Sequence, residues 1–174
     1  MREIHINDII SMIEHLFIDA NVNLSENMYD MIKSAIDREE SPVGKEVLRE
    51  LLKNADLARE EKMPICQDTG LAVTFLEIGQ DVHIAGGDLT GAVSEGVRRA
   101  YLNGFLRKSC CHPFTRKNTG DNTPPIIHTK IVPGDRLKIT VLPKGGGSEN
   151  YGEARMLTHS QGREGEKAIV RERV

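Results

Sequence analysis

The chain has 174 residues, 39% of them hydrophobic and 28% charged, and a formal net charge of −3. That length and balance suit one folded domain with a real core and exclude wholesale disorder. The slight acidity offers no electrostatic grip on nucleic acid or an acidic membrane surface, and with no Trp and few other aromatics there is no stacking platform for bases.

The first third reads as helix. Ile6, Ile9, Ile10, Ile13, Leu16 and Phe17 recur at helical spacing. Asn23-Leu24-Ser25 offers an N-cap to a second helix, with Met28, Met31, Ile32, Ala35 and Ile36 as its apolar stripe. Ser41-Pro42 starts a third, with Ser as cap and Pro at the first helical position. Val43, Val47, Leu48, Leu51, Leu52 and Ala55 follow on one face, and Pro64 stops the helix near Lys62.

The middle is mixed. Residues 71–78 are rich in strand formers, and Gly79-Gln80-Asp81 turns into a short strand over 82–85. Asp88 caps another helix whose small-residue face is Ala92, Val93, Gly96, Val97, Ala100, Tyr101 and Phe105, with Arg107-Lys108 at its C-terminal end, where the macrodipole favours cations. A polar loop covers 109–125. Residues 125–132 and 136–142 read as two strands joined by Pro133-Gly134-Asp135 into a hairpin. The glycine-rich loop Lys144-Gly145-Gly146-Gly147-Ser148-Glu149-Asn150 and an amphipathic helix over 164–174 complete the chain, whose C-terminal end reads as incomplete. The expected fold is α+β: a helical part over about 1–62, then a mixed part over about 63–174 built on a small, mainly antiparallel sheet with packed helices.

Three cysteines, two of them adjacent, do not make a disulfide framework. With no apolar signal core behind Met1 and no run of membrane-spanning length, a reducing cytoplasm is the expected compartment. The most informative run is Met63-Pro64-Ile65-Cys66-Gln67-Asp68-Thr69-Gly70, where a soft ligand, an amide and a carboxylate are adjacent. Cys66 can be a buried thiol, a nucleophile or a ligand to a soft metal or iron–sulfur cluster. The three consecutive glycines can let backbone N–H groups converge on an anion or can form a plain surface turn. Arg107, Arg116 and Lys117 flank the polar loop, and an arginine fork suits a carboxylate, although simple solvation accounts for most single arginines. Asn118-Thr119-Gly120-Asp121-Asn122-Thr123-Pro124 can order a loop beside a site or form a surface turn. Cys110-Cys111-His112 is composed of ligand types, but adjacent residues cannot easily present separate ligands to one ion.

In order along the chain, Arg38-Glu39-Glu40-Ser41-Pro42, Pro64-Ile65-Cys66-Gln67-Asp68-Thr69-Gly70, Gly79-Gln80-Asp81-Val82, Asn118-Thr119-Gly120-Asp121-Asn122-Thr123-Pro124 and Lys144-Gly145-Gly146-Gly147-Ser148-Glu149-Asn150 resemble the alpha subunit, or N-terminal region, of class I fumarate hydratases and the related L-tartrate dehydratases. The resemblance implies an iron–sulfur hydro-lyase that reversibly hydrates fumarate to L-malate. Its 4Fe–4S cluster would be held by three cysteines, with one iron left open to substrate. Cys66 would be the first ligand and the remaining ligands would lie outside this chain. Gln67, Asp68, Arg107 and the backbone near Gly147 would bind the small dicarboxylate substrate, and Asp68 would share in proton handling with a base from elsewhere. A beta subunit or a C-terminal domain is the implied partner, in a homo- or hetero-oligomer, and the chain alone is expected to be inactive. Two alternatives accompany this reading: an L-tartrate dehydratase alpha subunit, and a non-catalytic subunit that only packs against a partner.

Overall fold

The computed structural model describes residues 1–147 and 152–173. Local sequence signals act where expected at the helix ends. Helix α1 (Ile6–Val22) follows a short strand, β1 (Arg2–His5), and His5 caps it by accepting from the Asn7 N–H at 3.2 Å. Ser25 caps α2 (Glu26–Arg38) through the Met28 N–H at 3.4 Å. Ser41 caps α3 (Pro42–Glu61) through the Gly44 N–H at 3.3 Å, and Lys62 closes that helix in the left-handed region, at φ 53°. Strands β2 (Leu71–Gly79) and β3 (Val82–Ala85) come next, followed by α4 (Leu89–Asn103) with Asp88 as its cap. Strands β4 (Ile126–Val132) and β5 (Leu137–Lys144) precede a 3-10 turn at His159–Gln161 and helix α5 (Gly162–Arg173).

The α+β class holds, but the strand pairing corrects two expectations. The segments 125–132 and 136–142 do not form a hairpin, because β2 lies between them in the order β4-β2-β5. Nor is the sheet mainly antiparallel. β2 runs antiparallel to β5, with Phe75 opposite Thr140, yet parallel to β4, with Phe75 opposite His128. A second, two-stranded sheet pairs β1 with β3 in parallel, and β1 was not anticipated in a stretch read as helix. The reason is burial. The near-continuous apolar run of β2 belongs at the centre of a sheet, whereas β5 alternates and β4 is exposed along most of its length, so both suit an edge. The link after β4 crosses the end of β2, where the Asp81 N–H donates to the Gly134 carbonyl and the Gly79 N–H to the Arg136 carbonyl.

The core lies between α1, α4 and one face of the three-stranded sheet. Ile9, Ile13 and Phe17 of α1 meet Val93, Val97, Ala100 and Tyr101 of α4 over Ala72 and Leu76 of β2. The two helices approach closely because Gly96 has no side chain. A Cβ there would stand 2.8 Å from the Ile13 side chain and 2.9 Å from the Ile10 carbonyl oxygen. The Phe17 and Tyr101 rings pack tilted, 6.1 Å apart. Among the described residues, no helix is long and apolar enough to cross a membrane.

Candidate functional site

Three loops meet at the end of this core. The first, residues 63–70, leaves α3 and enters β2. Its start is pinned twice: the Ile65 N–H donates to the Asn21 carbonyl, and the Asn54 amide donates to the Ile65 carbonyl, both at 2.8 Å. Cys66 and Gln67 then stand exposed, Asp68 is half-buried, and Thr69 and Gly70 turn inward. Gly70 adopts φ +70°, and a Cβ there would sit 2.4 Å from the Lys144 backbone, so the first loop can abut the end of β5 only through glycine.

The second loop leaves α4. Leu106 is buried in the core, and Arg107 beside it emerges into solvent. The third is the glycine-rich loop after β5. Its Gly146 N–H donates to Asp68 Oδ2 at 2.9 Å, while the Gly70 N–H donates to Asp68 Oδ1 at 3.1 Å. Each carboxylate oxygen of Asp68 is therefore held by a main-chain amide from a different loop.

Together the loops enclose an open cleft of about 700 Å³. Among the described residues, Asp68 is the one acidic residue in its lining, which also holds Arg107, Lys108, Arg116 and Lys144. The side chains of Arg107, Lys108 and Arg116 make no hydrogen bond or ion pair among the described residues. Lys144 caps the Gly145 carbonyl at 2.7 Å. A cleft with four cations and one fixed carboxylate concentrates small anions and orients them beside a group able to accept a hydrogen bond or a proton.

Beneath the cleft lies a buried polar network. The Tyr101 hydroxyl sits 2.8 Å from the Thr69 carbonyl and 3.2 Å from that of Gly70. Burial raises its phenol well above the ordinary value, so Tyr101 stays a neutral donor. The Thr69 hydroxyl donates to the Arg107 carbonyl at 2.9 Å. Asn122 donates to the Gly70 carbonyl and accepts from the Ser109 and Cys110 amides.

The structure thus gathers Asp68 and Arg107, with Arg116 beside them. Cys66 and Gln67 do not line the cleft; they sit on the exposed run leading into Asp68. Gly147 is exposed and outside the lining, and Gly146 is the glycine that reaches Asp68. Ser148, Glu149 and Asn150 of the glycine phrase fall outside the described residues. Cys110 and Cys111 line the cleft wall, and His112 accepts from the amides of Phe114 and Thr115 within a tight turn. All three cysteines are free thiols.

A complete iron–sulfur cluster does not fit this donor set. Among the described residues no three His, Cys, Asp or Glu side chains come together, and Cys66 offers one exposed thiol. Sequence reasoning missed Tyr101, Lys108 and Lys144. The available signal for Tyr101 was a phenol on an apolar helix face, which needs a polar partner when buried.

A model of the fumarate hydratase (Fumerase) family matches residues 10–174. A protein of Methanocaldococcus jannaschii carrying the provisional name L(+)-tartrate dehydratase subunit alpha is 33% identical over 172 residues, 95% of this chain and 60% of that protein. The aerobic class I fumarate hydratase of Escherichia coli K12 is 39% identical over 117 residues, 66% of this chain and 21% of that enzyme. An L(+)-tartrate dehydratase subunit alpha from Escherichia coli O157:H7 is 28% identical over 97% of this chain and 57% of its own length. The chain spans less than two thirds of each of these relatives.

Proposed function

The chain belongs to the fumarate hydratase family, and from that premise we propose that it forms the dicarboxylate-binding part of an iron–sulfur hydro-lyase, one that reversibly hydrates fumarate to L-malate. The observation that carries this reading is Asp68, fixed by the Gly70 and Gly146 amides inside a cleft whose described lining includes Arg107, Lys108 and Arg116. Arg107 grips one carboxylate of the substrate with its two-pronged guanidinium. Asp68 orients the substrate's polar carbon substituent and exchanges protons with a base from elsewhere. Gln67 reaches the substrate from the exposed side of the same loop, and the glycine loop around Gly147 supplies backbone donors.

Cys66 contributes one thiolate to a 4Fe–4S cluster, whose other ligands come from a beta subunit or a C-terminal domain. The chain alone is then inactive, and the working enzyme is an oligomer in a reducing cytoplasm, where its three free thiols persist. A second reading, L-tartrate dehydratase, draws support from the alpha-subunit relatives, which align with nearly the whole chain. It asks the same site to take a diacid carrying one more hydroxyl.

The test is anaerobic cluster reconstitution of the chain with its beta partner, followed by fumarate and L-tartrate assays on the complex. Arg107→Ala is expected to raise KM for the diacid on the order of 10- to 100-fold, the worth of a hydrogen bond to a charged group. Asp68→Asn is expected to lower kcat with the cluster spectrum intact. A complex that keeps its full cluster after Cys66→Ser, or that turns over neither diacid, would overturn the proposal.

A further inference from the structure

We propose that Asn122 is a positioning residue: it couples the segment carrying Arg107 to the loop carrying Asp68, so that the cation and the carboxylate of the cleft keep a fixed separation. Its functional consequence rests on the dicarboxylate reading of the cleft; the coupling itself is a property of the chain.

Asn122 is 1% exposed and adopts φ 63°, a left-handed conformation that Asn tolerates better than most residues with a Cβ. Both ends of its amide are used. Oδ1 accepts from the Ser109 N–H at 2.7 Å and the Cys110 N–H at 2.9 Å, and Nδ2 donates to the Gly70 carbonyl at 3.1 Å. The amide orientation follows from this network, since a reversed amide would set its NH2 group against two N–H donors. Gly70 then passes the link on: its own N–H holds Asp68 Oδ1. One residue, Gly70, therefore separates the Asn122 side chain from the Asp68 carboxylate. On the other branch, Ser109 stands two residues from Arg107, whose carbonyl is also tied to Thr69.

No other side chain of this size does the same work. Asp keeps the shape and the acceptor but loses the donor, and it would face the Gly70 carbonyl with a second oxygen. Ala removes both links and leaves two buried amides without a partner. Main-chain segments held this way meet a dianion without first having to order relative to one another.

The test compares the full chain with Asn122→Asp, Asn122→Ala and Ile13→Ala, a core truncation in α1 far from the cleft. Amide hydrogen exchange is read at Gly70, Ser109 and Cys110, and succinate, an unreactive dicarboxylate, is titrated by NMR. Asn122→Asp is expected to leave Ser109 and Cys110 protected, while loss of the bond to the Gly70 carbonyl loosens the Gly70 N–H contact with Asp68, so that Gly70 exchanges about tenfold faster and succinate binds about tenfold more weakly. Asn122→Ala should in addition release the Ser109 and Cys110 amides, whose acceptor it removes. The proposal is overturned if Asn122→Asp matches the unsubstituted chain at Gly70, or if Ile13→Ala produces the same local pattern. If the unsubstituted chain takes up no succinate, the dicarboxylate reading falls, and exchange at Gly70 alone decides the coupling.

Discussion

Two helical pairs in this molecule look alike in sequence and differ in what they bury. In the first pair, α1 against α4, Ile9, Ile13, Phe17, Val93, Val97, Ala100 and Tyr101 are all but sealed from solvent. In the second, α2 against α3, no residue of α2 is buried and α3 buries Ala55 and Ala58 alone. Met31, Val43, Val47 and Leu51 lie on the open side of that hairpin, each about half exposed or more. The same contrast holds for the charges. Glu95 on α4 is gripped by Arg98 through two bonds of 2.7 Å and by Arg99 through a third, and these hold its carboxyl far below the ordinary range, at about 2. On α3 the Glu46–Arg49 pair spans 3.3 Å between side chains more than half exposed. An apolar period makes a helix amphipathic; it does not say whether the apolar side finds a surface to cover it.

The contrast can be sharpened by measurement. Phe17→Ala, in the sealed pair, is expected to cost about 3–5 kcal/mol in denaturant unfolding. A loss near 1 kcal/mol would mean that the α1–α4 seam is looser than its burial indicates. Gly96→Ala tests the closest approach in that seam: a methyl 2.8 Å from Ile13 should cost about 1–3 kcal/mol, although Gly→Ala normally favours a helix. Thr74→Val should go the other way. The Thr74 hydroxyl is fully buried and has no hydrogen-bond partner among the described residues, lying in a row between Ile127 and Val141. An isosteric methyl there should raise stability by about 1 kcal/mol.

Glu95→Gln tests the charge contrast through pH. The folded carboxyl titrates at about 2 and its unfolded reference at 4.5, so the stability it contributes is present above 4.5 and is lost as pH falls toward 2. The variant should show a flatter acid limb across that window, measured by melting temperature at several pH values. The smallest effect belongs to Leu51→Ala on the open hairpin, expected to be within about 0.5 kcal/mol of zero for an exposed position away from the core. A cost of several kcal/mol there would erase the distinction between the two pairs.

The legible part of the site was the part made of consecutive residues. Cys66-Gln67-Asp68 and Arg107 drew notice because their side-chain types announce chemistry. Asp68 and Arg107 do meet in one cleft. The rest depended on what lies across the chain. Lys144 reads as the first residue of the glycine-rich loop; it ends β5 instead, and it joins the cleft because Gly70 lets β5 abut the first loop. Tyr101 reads as core, and its hydroxyl matters only where it meets the Thr69 and Gly70 carbonyls. Asn122 stood inside a phrase read as a loop-ordering segment, without any sign of which two segments it ties.

By itself the sequence determined the capped helices α2, α3 and α4, the class of fold and the family. Each follows from local rules: a serine or aspartate before an apolar period, a proline after it, a distinctive run of side chains. Only the tertiary structure decided that β2 separates the two strands expected to pair, that one helical pair is sealed while the other stays open, and that Asp68, Arg107 and Arg116 share one cleft. The physical reason is common to all three. Strand order, burial and cleft geometry are set by competition among distant segments for the same apolar surface and the same hydrogen bonds, and that competition is settled only when the chain has closed on itself.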